Sequence, residues 1–321
     1  MNKKIIIFSG DPISINSEII YKSWKKISNS EKKRTYIISN YDLMKKQFKT
    51  LKYPLDIIRV KNIYELPRSN KIKILDIDIK FKKPFKISQN ECAKFVKKSL
   101  NYAHKLSLSK NVIGLINCPI NKRLLGNKKI GLTEFLAKKC KIKKNSEVML
   151  ISNKKFSVSP ITTHIDLKEV SKKINSRIIF KKIKTLNSWF KKYKKIKPKI
   201  CILGLNPHNS EFRRDSEEKK IIIPAIKKLK KEKINLKGPF SADTIFIKEY
   251  KKYNVVVGMF HDQVITPFKT IFKFDAINVT LGLKYLRVSP DHGVASNLIG
   301  KRKANPISLI NCIKFVSKFE K

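Results

Sequence analysis

Residues 254–263 read Asn254-Val255-Val256-Val257-Gly258-Met259-Phe260-His261-Asp262-Gln263, a short apolar run that breaks into a polar turn at a histidine. Consecutive valines favour a strand buried on both faces, and a polar cluster after an apolar run marks a turn. The same grammar recurs along the chain. Strands are predicted at Lys4–Phe8, Thr35–Ser39, Ile72–Ile77, Val112–Asn117, Glu147–Ser152, Lys199–Leu205, Asn254–Phe260 and Ala276–Leu281. Between them Cys92, Phe95, Val96, Ala103 and Leu106 recur at helical spacing, as do Leu309, Ile310, Ile313 and Val316, and Asn305-Pro306 reads as a helix start. Short apolar strands alternating with amphipathic helices predict an α/β protein with a largely parallel sheet.

The chain has 321 residues, 41% of them hydrophobic, enough for one large or two ordinary domains, each with a core. No linker, repeat or low-complexity segment divides it. With 73 Lys+Arg against 24 Asp+Glu the formal charge is +49, a value that would suit a polyanionic partner. Only nine of those basic residues are arginine, however, and the lysines are scattered in pairs and triples along nearly the whole chain. Together with the leaning towards Ile and Asn, this is the pattern of AT-rich coding and a solvated surface. No nucleic-acid partner is expected. The five cysteines, Cys92, Cys118, Cys140, Cys201 and Cys312, are far apart and form no C-x-x-C pair, which argues against a disulfide framework or a thiolate zinc site and for a reducing cytoplasm. No apolar run reaches the roughly 18 residues of a membrane span, and the apolar stretch in MNKKIIIFSGDP is too short for a signal peptide core. A cytoplasmic chain with no membrane partner is expected.

Three of the five histidines share one context, directly after an apolar run and at the start of a polar turn: His164 after Val158-Ser159-Pro160-Ile161-Thr162-Thr163, His208 after Gly204-Leu205-Asn206-Pro207, and His261. In an open α/β sheet the carboxyl ends of strands meet in one crevice, so three imidazoles from three strand ends could converge on a divalent ion and leave a coordination position open. The bland alternative is three isolated turn histidines. Lys269, Asn278 and Arg287 follow, able together to hold anionic and hydroxyl groups; Arg287 is the most informative, since arginine is scarce here and this one stands in an apolar stretch. Asp291-His292-Gly293 reads equally as a turn or as part of a site. Gly10-Asp11-Pro12 closes the first strand, but no G-x-G-x-x-G follows it, and neither a P-loop nor a G-x-S-x-G elbow is present.

Taken in order, Gly10-Asp11-Pro12, Asn117-Cys118-Pro119-Ile120-Asn121-Lys122, Gly131-Leu132-Thr133-Glu134-Phe135-Leu136-Ala137, Thr162-Thr163-His164, Gly204-Leu205-Asn206-Pro207-His208, Gly238-Pro239 with Ala242-Asp243-Thr244, His261-Asp262-Gln263, Asn278-Val279-Thr280-Leu281-Gly282-Leu283 and Asp291-His292-Gly293 resemble the 4-hydroxythreonine-4-phosphate dehydrogenases of vitamin B6 biosynthesis. The resemblance implies one catalytic unit over residues 1–321, with the two-lobed α/β/α architecture of isocitrate and isopropylmalate dehydrogenases. Lobes are expected roughly at 1–125 plus 280–321 and at 126–279, with the active site between them at a homodimer interface. That architecture uses NAD or NADP without the Rossmann glycines. The resemblance further implies a divalent ion (Zn, Mg or Co) on His164, His208 and His261, shared between subunits, and a phosphorylated substrate on Thr133, Lys269, Asn278 and Arg287. Asp243, Asp262 and Asp291 are candidate catalytic or ligand-orienting groups. The implied reaction oxidises 4-phosphohydroxy-L-threonine to a 2-amino-3-oxo acid, which decarboxylates to 3-amino-2-oxopropyl phosphate.

Three stretches depart from the family pattern. Leu132 stands where the family has a substrate-contacting His; Ser14, Asn16 and Ser17, within Ile13–Ser17, replace the usual Gly, Gly and Pro; and Asn209–Asp215 replaces a glycine-rich stretch. Leu132 keeps alive a related dehydrogenase of erythronate or threonate 4-phosphate. A non-catalytic nucleic-acid-binding protein is the remote rival, disfavoured by the scattered lysines.

Overall fold

The computed structural model describes residues 3–67, 69–126, 131–142, 146–273 and 275–319. Its strands are β1 (Lys4–Phe8), β2 (Thr35–Ser39), β3 (Ile57–Val60), β4 (Ile72–Asp76), β5 (Val112–Asn117), β6 (Val148–Ser152), β7 (Ser157–Pro160), β8 (Ile200–Leu203), β9 (Leu236–Phe240), β10 (Val255–Gly258), β11 (Ile277–Leu281) and β12 (Leu286–Pro290). All eight predicted strands are present, so the fold is mixed α/β. Four more were not predicted. β3 has only four residues, while β7, β9 and β12 interleave Ser, Gly, Pro or Arg with apolar residues and break the run that signals a buried strand.

The chain divides into two compact units, Met1–Lys139 with Lys284–Lys321, and Cys140–Leu283. These limits fall later than the 125/126 and 279/280 read from sequence, because the helix Leu132–Lys139 stays with the first unit.

In the first unit the strand order is β3-β4-β2-β1-β5-β12, parallel throughout. Central strands of such a sheet are covered on both faces, which explains why β1 and β2 are buried almost end to end and carry the apolar runs Ile5–Phe8 and Tyr36–Ile38. The helix Gln89–Ser107 starts where Ser88 Oγ accepts the Glu91 N–H at 3.3 Å, and it packs on β1 and β5. At the carboxyl end of β1, Gly10 has φ +80°, and a side chain there would meet Asn16 Nδ2, the Pro119 carbonyl and the Cys118 carbonyl. The turn is knitted by its non-glycine residues. Ser14 Oγ donates to the Asp11 carbonyl at 2.6 Å, and Asn16 Nδ2 donates to the Pro119 carbonyl at 2.8 Å, joining the ends of β1 and β5.

In the second unit the order is β11-β6-β7-β10-β8-β9. β6 runs antiparallel to both its neighbours, and β7, β10, β8 and β9 are mutually parallel. The core gathers Phe156, Val158, Cys201, Leu203, Val256, Val264, Ile265 and Phe268. β10 ends at Gly258, two residues before its predicted limit, and His261 opens the helix His261–Phe272, which packs on β7 and β10.

Burial of charge in the first unit gives a testable consequence. Lys73 on β4 is 2% exposed, its ammonium 5.0 Å from the Tyr36 ring centre and 5.7 Å from that of Trp24, donating to the Lys32 carbonyl at 2.6 Å. Burial, with the nearby charge of Lys4, pushes its pKa down from 10.5 to about 8. Across that window the unfolded chain holds a proton that the folded chain has released, so the contribution of Lys73 to stability rises with pH from about 8 to 10.5. Urea unfolding of the parent and of Lys73→Met over this range should show a shallower rise in the variant. Identical slopes would contradict the assignment.

Candidate active site

The three predicted metal ligands follow three adjoining parallel strands: His164 follows β7, His261 follows β10 and His208 follows β8, with β10 in the middle. Hydrogen bonds lace these strand ends together. Ile161 N donates to the Gly258 carbonyl at 2.8 Å, and both Thr162 N and Thr162 Oγ1 donate to the Met259 carbonyl, at 3.0 and 2.7 Å. On the other side Gln263 Oε1 accepts the Met259 N–H at 2.7 Å while Gln263 Nε2 donates to the Gly204 carbonyl at 2.8 Å. The first lacing draws His164 and His261 to a ring-centre separation of 5.9 Å with a 37° tilt.

His261 is about a third exposed, and its Nδ1 lies 2.6 Å from Asp262 Oδ1. With a carboxylate accepting at Nδ1, the proton sits there and the Nε2 lone pair is left for a cation, the arrangement that commonly orients a metal-bound imidazole. The donor set therefore fits a divalent ion of the zinc group. His164 and His208 are exposed. Among the described residues no group of three or more His, Cys, Asp and Glu is gathered to hold a metal. The structure places His164 and His261 side by side and His208 at the end of the adjoining strand β8, without gathering the three imidazoles on one point.

The loop carrying His208 has an unusual backbone. His208, Asn209, Ser210, Glu211 and Phe212 all have positive φ, between 44° and 56°. Non-glycine residues in this region cost about 1–2 kcal/mol each. Within Asn209–Asp215, the residues Asn209–Phe212 thus take up a conformation suited to glycine without any glycine among them. The turn before it is held by Glu218, whose Oε1 accepts from Leu205 N at 2.8 Å and Asn206 N at 2.9 Å.

Arg287 lies on β12 in the first unit, 3% exposed. Its Nε donates to Asn117 Oδ1, at the end of β5, at 2.6 Å, and its Nη1 lies 3.5 Å from Thr133 Oγ1. Burial lowers its pKa to about 10, offset in part by Tyr285, Cys312 and Glu134, so it keeps its charge at neutral pH. The structure therefore brings Arg287, Thr133 and Asn117 together. Leu132, beside Thr133, is buried. Asp291 follows the end of β12, its N–H bonded to Ser308 Oγ at 2.9 Å.

Other predicted positions are less convergent. Lys269 is half-buried, eight residues and so about 12 Å along the helix from His261. Asn278 is the second residue of β11, in register with Ile151, which pairs with Val158 in β7. That register lies towards the beginning of β7, so Asn278 is not at the histidine-bearing strand ends. Its Oδ1 is buried without a hydrogen-bond partner. Asp243 is exposed in the short helix Ala242–Ile245 that follows β9.

A sequence profile described as "Pyridoxal phosphate biosynthetic protein PdxA" matches residues 31–316. The chain belongs to the PdxA family. A 4-hydroxythreonine-4-phosphate dehydrogenase of Sulfurihydrogenibium sp. (strain YO3AOP1) is 36% identical over 319 residues, covering 97% of this chain and 96% of that protein. The crystal structure of a 4-hydroxythreonine-4-phosphate dehydrogenase from Klebsiella pneumoniae superposes with a TM-score of 0.87 at 26% identity, over 99% of this chain and all of that one. A relative from Oceanobacillus iheyensis, 29% identical over 98% of this chain and 97% of its own length, is named provisionally as a D-threonate 4-phosphate dehydrogenase. PdxA membership makes the chain an oxidoreductase of pyridoxine biosynthesis, as the motifs predicted.

Two groups that shape the PdxA histidine loops carried no assigned role in the sequence. Gln263 could have been found from its place beside His261-Asp262. Glu218 could have been found because adjacent glutamates, Glu217-Glu218, are conspicuous in a chain with 24 acidic residues against 73 basic ones. The left-handed run yields a prediction: Glu211→Gly, at an exposed position with φ 44°, should raise stability by about 0.5–1 kcal/mol after the entropy of the added glycine is subtracted. An unchanged or lowered urea midpoint would show that the loop is not strained there.

Proposed function

We propose that this chain oxidises the secondary hydroxyl of 4-phosphohydroxy-L-threonine with NAD or NADP, giving a 2-amino-3-oxo acid that loses carbon dioxide to 3-amino-2-oxopropyl phosphate. It acts as a cytoplasmic homodimer whose subunits share the metal-bearing site. The observation that carries this reading is the pairing of His164 with His261 at laced strand ends, with His261 Nδ1 engaged by Asp262, in a PdxA chain. No helix among the described residues is long and apolar enough to cross a membrane.

When bound, the nicotinamide supplies the hydride acceptor and a divalent ion the Lewis acid that polarises the substrate oxygen. His164, His208 and His261 would hold that ion.

Arg287 keeps its charge at neutral pH and presents a guanidinium whose Nε is fixed by Asn117, so it holds a phosphate or carboxylate without first having to be ordered. Thr133 adds a hydroxyl and Lys269 a second cation. Asn278, away from the histidine-bearing strand ends, enters this reading through the family resemblance alone. Asp262 engages His261 Nδ1 and so turns Nε2 towards a cation. The chain's +49 charge speeds capture of an anionic substrate in a salt-dependent way.

Leu132 supports a second reading, oxidation of D-threonate or erythronate 4-phosphate. An apolar side chain at the family's His position can neither hydrogen-bond a substrate group nor move a proton. NADH formation separates the two when the protein is given NAD, a divalent metal and each phosphorylated acid in turn, before and after chelation. Metal-dependent turnover of 4-phosphohydroxythreonine is expected, and faster turnover of a sugar-acid phosphate would transfer the assignment. His208→Ala should abolish turnover while leaving circular dichroism and the thermal midpoint unchanged. Near-normal turnover by that variant at saturating metal would overturn the metal reading.

A further inference from the structure

Glu218 is the first residue of the helical stretch after the His208 loop, and it is 0% exposed. A buried carboxylate is costly unless its oxygens are hydrogen-bonded or paired with a cation. Here N–H donors do the work. Besides the two backbone N–H groups on Oε1, Oε2 accepts Asn206 Nδ2 at 3.2 Å, and no ion pair engages Glu218 among the described residues. The same Asn206 amide lies 2.9 Å from Glu217 Oε2. All of these donors belong to Leu205 and Asn206, three and two residues before His208.

The backbone changes hand immediately after that clamp. Asn206 is extended, with φ −99° and ψ 157°, whereas His208 opens the left-handed run, and Asn209 N donates back to the Asn206 carbonyl at 3.2 Å. A strained segment persists only where its surroundings over-determine it. Glu218 supplies that constraint on the side leading into His208, and Gln263 supplies a second by its bond to the Gly204 carbonyl.

We propose that Glu218 is a positioning residue for His208: its buried carboxylate fixes the Leu205–Asn206 turn and so presents the imidazole in the conformation that binds a divalent cation. The proposal rests on the reading of His208 as a metal ligand. Glu218→Gln keeps the size of the side chain and one carbonyl oxygen for the two backbone donors. It turns the other oxygen into an NH2 that faces Asn206 Nδ2 donor to donor. The turn keeps its two backbone bonds but loses the Asn206 amide bond and the negative charge that strengthens all of them, while the core loses no volume.

The test is Co2+ affinity, by competition with a chromophoric chelator, for the full-length parent, Glu218→Gln, His208→Ala and the double variant, with urea unfolding of each alongside. Removal of a group that orients a metal ligand commonly weakens binding about 10- to 100-fold, and Glu218→Gln should fall in that range. In the double variant Co2+ should bind no more weakly than in His208→Ala alone, because the positioning effect passes through His208. Parent-like affinity in Glu218→Gln, or a further loss in the double variant equal to that in the single one, would overturn the proposal. Unchanged affinity in His208→Ala would remove the metal reading, and the proposal with it. If Glu218→Gln does not fold, Asn206→Ala removes the amide shared by both carboxylates and is read in the same way.

Discussion

The histidine end of the second unit depends on a group that both donates and accepts. Gln263 takes the Met259 N–H on its oxygen and gives its own N–H to the Gly204 carbonyl, joining the turn after β10 to the turn after β8. A carboxylate could make only the first bond and an aliphatic side chain neither. Because β10 is also bonded through Thr162 to the segment after β7, the central turn is held from both sides. Gly258 belongs to the same design: a side chain there would press on Gln263 and Val264. The catalytic candidates on these turns owe their geometry to neighbours that carry no chemistry of their own.

This explains which parts were legible in the sequence. β1, β2 and β10 are covered on both faces, so their residues are almost uniformly apolar and stand out as runs. β12 carries a buried arginine and β7 two serines, and each is a strand because its neighbours bond it, not because its composition demands it. The histidines were legible for a related reason. Each follows a strand end, and the end of an apolar run is easy to see. The left-handed turn after His208 was not, because nothing in Asn209-Ser210-Glu211-Phe212 favours positive φ except the asparagine. Asn278 was read as lying near a strand end, and the antiparallel pairing of β6 with both β7 and β11 explains why it is at the other one.

Charge is distributed with the same economy. Among the described residues the charged side chains that are buried are Asp11, Glu18, Glu31, Arg34, Lys73, Glu218 and Arg287, a small minority in a chain with 97 formally charged groups. Most recorded ion pairs are exposed and contribute little, typically under about 1 kcal/mol. The buried ones each do local work. Asp11 joins the turn after β1 to Asn121, Glu18 accepts from Lys22 and from the Ala304 N–H, and Arg287 bridges towards Asn117 and Thr133. The positive surplus lies on the surface, where it sets the long-range field but not the fold.

The departures from the family pattern separate into two physical kinds. At Ser14 and Asn16, replacing glycine added hydrogen bonds that close the turn, so lost backbone freedom was exchanged for side-chain anchoring. At His208–Phe212 the backbone follows a left-handed path with no glycine to take it, and the buried Glu218 clamp next to it holds the strained segment in place. Leu132 is a third case, because it alters chemistry and not backbone. Buried and apolar beside Thr133, it leaves the Thr133 hydroxyl and the Arg287 guanidinium as polar groups there, a pair whose chemistry suits an anionic group. A pocket rejects an analogue strongly only when it holds polar groups that the analogue leaves unpaired, and a leucine side chain is not such a group.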